Sequence, residues 1–97
     1  MPSKKRDFRK AAIKKGFIED KQGNHIFYRY KNSNGFIDAA IHTKVSHGGN
    51  GDISDSLLGE MQKQMKLDSR EQLLHYIECS FSLEDYQKLL AAKNFKP

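Results

Sequence analysis

Three histidines fall within or just after the stretch KQGNHIFYRYKNSNGFIDAAIHTK, residues 21–44: His25, His42 and His47. An unperturbed imidazole titrates at about 6.5, so it takes or gives a proton near neutrality. His25 follows Gly23-Asn24 directly and precedes an aromatic and basic run. Three roles are open to it: a solvated surface group, a packed side chain, or the working group of a site. His75, between Leu74 and Tyr76, reads as a residue edging a helical core. Other chemistries find less support. The lone Cys79 cannot form an internal disulfide, no Cys/His spacing resembles a zinc site, and no cofactor is expected. The glycine-rich run at 46–52 lacks GxxxxGK[ST], and no serine sits in a nucleophile elbow.

The elements that must position these residues read in order as helix, three strands and more helix. Phe8, Ala11 and Ala12 fall at i, i+3, i+4 in residues 4–15 and make a narrow apolar stripe. Arg6, Arg9, Lys10 and Lys14 point the other way, with Ile13 among them, and Gly16 ends the helix as a C′ residue. Phe17–Lys21 makes a short first strand. Asn34-Gly35 is a strong signal for a two-residue type I′ hairpin, which needs positive φ at both central positions. That loop would set His25 opposite Lys44, Phe27 opposite His42, Arg29 opposite Ala40 and Lys31 opposite Asp38. Ile26, Tyr28, Tyr30, Ile37, Ala39 and Ile41 would then line a core face. His25, Phe27, Arg29, Lys31, His42 and Lys44 would line an open one. A single bulge would invert part of this pattern.

Ser54 is positioned to cap the next helix, whose buried stripe is Leu57, Leu58, Met61 and Met65. Gly59 weakens that helix by about 1 kcal/mol unless close packing requires it. Asp68 with Glu71 resembles a capping box for a third helix burying Leu73, Leu74 and Ile77. Ser82 caps a fourth, burying Tyr86, Leu89 and Leu90. The length of 97 residues fits one domain, 1–97, of α+β class. No apolar run is long enough to span a membrane and no apolar signal region follows the basic start, so a cytoplasmic, soluble protein is the expectation. The net charge of +5 is uneven: residues 1–15 hold seven lysines and arginines against Asp7 alone. The rest of the chain is close to neutral, so the surplus at one end favours a polyanion such as RNA.

The order helix–strand–strand–strand–helix resembles the HicA family of mRNA-cleaving toxins. The resemblance is carried by KKGFIEDKQGNHIFYRY and TKVSHGGNGDISDSLLGEMQKQMKL. It covers about residues 4–67, leaving 68–97 as a C-terminal helical extension. It implies an α-β-β-β-α fold like a double-stranded-RNA-binding domain, with a three-stranded antiparallel sheet and helices on one face. It also implies that Gly23-Asn24-His25 corresponds to the family's glycine–polar–histidine motif, although the family usually has serine or threonine where this chain has Asn24. His25 would then be the general acid or base of a metal-independent endoribonuclease, a toxin held by a HicB-like antitoxin.

On that reading the open face supplies the remaining parts. Lys44 would stabilise phosphorane charge and hold His25 toward its neutral, base-competent form, and His42 or His47 would supply the acid. Phe27 would stack a base, while Arg29 and Lys31, with Arg6, Arg9, Lys10 and Lys14, would hold phosphates. Two other readings stand beside it: an RNA-binding module of the same fold without catalysis, and a protein-interaction module docking an acidic partner. The acidic helix start Asp52-Ile53-Ser54-Asp55 weighs against duplex RNA.

Overall fold

The computed structural model describes residues 3–46, 51–78 and 80–97, and His47 lies outside them. A two-residue strand β1, Ser3–Lys4, leads into helix α1, Lys5–Lys14, where Phe8, Ala11 and Ala12 are buried as their spacing predicts. Gly16, at φ +96°, ends the helix, and its carbonyl accepts from the Lys31 amide at 2.8 Å. Strands β2 (Phe17–Gln22), β3 (His25–Lys31) and β4 (Ile37–Ser46) form an antiparallel sheet in that order. A short β5, Asp52–Ile53, pairs with β1, and sequence patterning gave no sign of this two-residue ladder. Helices α2 (Asp55–Gln64), α3 (Arg70–Ile77) and α4 (Leu83–Ala92) follow. The class is α+β, with the helices packed on one face of the sheet.

The β3–β4 hairpin departs from the expected two-residue turn. The Asn32 side-chain carbonyl accepts from the Asn34 and Phe36 amides, both at 3.0 Å, and the Asn32 amide donates to Phe36 O. This largely buried asparagine thus organises a five-residue connection, 32–36, in which Gly35 has positive φ and Asn34 does not. Beyond it a bulge inserts residues 39–41 between the pairs Tyr30↔Asp38 and Arg29↔His42. Asp38 Oδ1 accepts from the Ala40 amide at 2.9 Å across this bulge.

The consequences differ on its two sides. Below the bulge the pairs are Arg29↔His42, Phe27↔Lys44 and His25↔Ser46, two residues from the expected register. Side chains alternate with period two, so an even slip leaves every residue on its expected face while changing its neighbour. Above the bulge the parity is odd. Ile37, expected in the core, therefore lies opposite Lys31 on the open side at 52% exposure, and Ala39 is exposed within the bulge.

The segment beyond residue 67 is part of the same core. Tyr76 and Tyr86 are fully buried, and Tyr86 meets the Tyr30 and Phe17 rings at 5.5 and 6.0 Å. The Tyr86 hydroxyl donates to Met65 O at 2.6 Å. Buried Lys15 donates to Tyr76 O and Phe81 O at 2.5 and 2.8 Å, placing its ammonium at the carbonyl end of α3, where the helix dipole favours a cation. Ser54 and Ser82 cap α2 and α4 as expected, the latter in a capping box with Asp85. The α3 cap is Ser69, one residue after the expected Asp68: its hydroxyl accepts from the Gln72 amide, and Gln72 Oε1 accepts from the Asp68 amide.

Candidate functional site

The sheet face turned away from the helices is a grid of three rows. Ile18, Arg29 and His42 form one row; Asp20, Phe27 and Lys44 the next; Gln22, His25 and Ser46 the last. The centre is ordered by side-chain contacts. Arg29 lies over the Phe27 ring, 5.2 Å from its centroid, and pairs with Asp20 at 3.0 Å. Gln22 donates to the same Asp20 oxygen at 2.6 Å. His25 and Phe27 have ring centroids 6.4 Å apart. The face therefore offers an aromatic ring, a guanidinium stacked on it and an imidazole in sequence along one strand.

His25 is exposed, and a cleft of about 160 Å³ opens beside it. The ends of β3 and β4 form one wall with His25, Lys44, Val45 and Ser46; α2 forms the other with Leu57, Glu60 and Gln64. Lys5, from the start of α1, donates to Ser46 O at 3.1 Å and to Ser46 Oγ at 3.0 Å, which brings a second positive side chain to this end of the sheet. Gln64 Oε1 accepts from Thr43 Oγ1 at 2.6 Å, fixing the amide so that its NH₂ remains as a donor.

Of the residues picked out from sequence, His25 and Lys44 share this cleft, diagonally related rather than directly opposite. His42 does not join them. It stands four residues from Ser46 along β4, roughly 13 Å from the His25 row at 3.3 Å per residue. Its Nδ1–H donates to Ala39 O at 2.8 Å, so the imidazole clamps the bulge. Lys31 is exposed at the opposite end of β3, and Phe27 and Arg29 lie between.

The basic residues of α1 are elsewhere. Phe8, Ala11 and Ala12 pack against the inner side of the sheet, so exposed Arg6, Lys10 and Lys14 face away from it on the opposite side of the molecule. Arg9 is engaged: its Nε donates to Glu19 at 2.7 Å, and Tyr28 OH donates to the same oxygen at 2.9 Å. Burial pushes the Glu19 carboxyl up, but these hydrogen bonds and the Arg9 charge outweigh it and hold Glu19 below the usual range. Burial, then Glu19 itself, pushes the Tyr28 phenol far up.

Sequence reasoning missed Lys5, Ser46, Glu60 and Gln64. Leu57, Glu60 and Gln64 do follow i, i+3, i+7 spacing, which puts them on one flank of α2 beside its core stripe. Ser46 and Lys5 carried no local signal, since only the true register brings Ser46 opposite His25. Among the described residues, no group of three or more His, Cys, Asp or Glu is arranged to hold a metal ion. Comparison with protein-family models, curated proteins and solved structures finds no match to this chain.

Proposed function

We propose that this chain binds single-stranded RNA along the open sheet face and cleaves it at the His25 cleft, as a HicA-like mRNA-cleaving toxin. The observation that carries the reading is the exposed His25 in a cleft with Lys44, at the end of a row continued by Phe27 and Arg29. A strand laid along β3 would stack a base on Phe27 or on the Arg29 guanidinium, which its Asp20 partner already holds in place. Its backbone would then pass His25, which moves a proton, with Lys44 beside the phosphate to stabilise the charge that develops. At the start of α2, Asp52 pairs with Lys4 and Asp55 with Arg70, so the cations there are engaged by the protein's own carboxylates, a poor surface for a duplex backbone.

Induced expression of the intact chain should stop growth and degrade mRNA, and His25→Ala should relieve both. Purified His25→Ala should lose about 10²–10⁴-fold in cleavage rate with its fold and most of its RNA affinity retained. Undiminished cleavage by the folded variant would end the catalytic reading, leaving an RNA-binding module.

A second surface favours a protein partner. Ile13, 47% exposed, sits among Arg6, Lys10 and Lys14 on the outer side of α1. An apolar side chain ringed by cations suits an acidic protein such as a HicB-like antitoxin better than a phosphate backbone.

A further inference from the structure

We infer that Glu60 is the second proton-transfer group of the cleft, the general base on the ribose 2′-hydroxyl, with His25 as the acid on the departing oxygen. This rests on the RNA-cleavage reading above. Cleavage through the 2′-hydroxyl forms a bond from O2′ to phosphorus and breaks the bond from phosphorus to O5′. One proton leaves O2′ and one arrives on O5′, giving a 2′,3′-cyclic phosphate and a free 5′-hydroxyl. Two groups on opposite sides of the phosphate must therefore move protons, and His25 accounts for one.

The structure narrows the choice of the other. His42 is about four residues away along the strands and spends its Nδ1–H on the Ala39 carbonyl. Lys44 and Lys5 are cations, suited to phosphate charge rather than to taking a proton. Among the described residues Glu60 is the one carboxylate lining the cleft, and it is exposed on the α2 wall while His25 stands on the strand wall. A phosphate bound in the cleft, which Lys44 and Gln64 also line, would have His25 toward one wall and Glu60 toward the other. That is the disposition an in-line displacement requires. An ionised carboxylate can only accept, so Glu60 takes the base's part and the acid's part is left to His25.

The test uses the full chain in single turnover on a single-stranded RNA, and on the same RNA with sulfur replacing O5′ at the bond the wild type cuts. A thiolate leaves without help from an acid. Glu60→Gln should slow cleavage about 10²–10⁴-fold on both substrates, with melting temperature and RNA affinity near wild type. His25→Ala should lose as much on the oxygen substrate and recover most of it on the sulfur one. If Glu60→Gln cleaves at the wild-type rate while His25→Ala is inactive, Glu60 is not the base and the cleavage reading stands. If Glu60→Gln is the variant that sulfur rescues, the assigned roles are wrong. A wild-type chain that cuts no RNA overturns both this inference and the function it rests on.

Discussion

Replacing Gly16 with alanine tests how the helix-to-sheet junction is built. Gly16 sits at φ +96°, beyond the left-handed well near +57° that other residues occupy at modest cost. Holding an alanine there costs on the order of 1–3 kcal/mol. The added methyl would also stand 2.9 Å from Tyr30 Cε1, closer than carbon atoms pack. Tyr30 cannot yield easily, because its ring is fully buried between Phe17 and Tyr86 at centroid distances of 5.4 and 5.5 Å. Overpacking of this kind adds roughly 1–3 kcal/mol, for a combined loss of about 4 kcal/mol. In a domain of this size that lowers the melting temperature by about 16–32 °C. Gly23 is the control: its φ of +58° lies in the left-handed well and a Cβ there would meet nothing within 4 Å. Gly23→Ala should cost only about 1 kcal/mol, or roughly 4–8 °C. Thermal melts followed by circular dichroism compare the two, and equal losses would refute the argument from the Tyr30 contact.

Gly59→Ala should stabilise the protein by about 1 kcal/mol in urea titration, since the new methyl would meet Arg70 Cδ at an ordinary 3.6 Å and the helix gains alanine's propensity; a loss would mean that α2 and α3 pack more tightly than this. Tyr86→Phe, which strips the buried Met65 carbonyl of its donor, should cost about 1–2 kcal/mol with the urea m-value unchanged. Glu19 has a depressed carboxyl pKa, so its contribution to stability is present in full above the usual glutamate value of 4.5 and is lost as pH falls through its lower folded-state value. Glu19→Gln should therefore melt below wild type at pH 7, with the gap closing on acidification; a constant gap would remove the electrostatic cause. For RNA, changing Arg29 and Lys44 together to glutamine should reduce the log–log salt slope by about 1.4, whereas Lys10 and Lys14 together should leave it unchanged; the reverse would place the RNA on α1.

The fold was legible where a pattern repeats over several residues. The stripe of Phe8, Ala11 and Ala12, the alternation along His25–Lys31 and the serines at positions 54 and 82 each state a local preference that packing then obeys. What failed turned on individual side-chain contacts, near or far in sequence, that no repeating pattern states. Asn34-Gly35 has the chemistry of a tight turn, but buried Asn32 offers two backbone amides a carbonyl and so wins the connection. The bulge at 39–41 is stabilised by Asp38 and His42, neither of which announces it in sequence. Likewise Lys15 reads as a favourable charge near the end of its own helix, whereas it is buried at the end of α3, more than 60 residues away in sequence.

The same distinction explains how much of the candidate site could be read. Which face a strand residue occupies depends only on parity, and an even slip of two preserves parity. His25, Phe27, Arg29, His42 and Lys44 therefore all lie where alternation put them. Which residues meet across strands depends on the absolute register, and there the slip matters. It takes His42 from the row beside His25 to the row beyond Phe27, and it brings Ser46, with Lys5 bound to it, opposite His25 instead. Chemistry between two groups is a question of neighbours, not of faces. A proton-transfer partner chosen from the strand pattern alone thus had to be a strand residue. The cleft is closed by α2, and Glu60, which lines it together with His25, belongs to a helix that strand alternation does not describe.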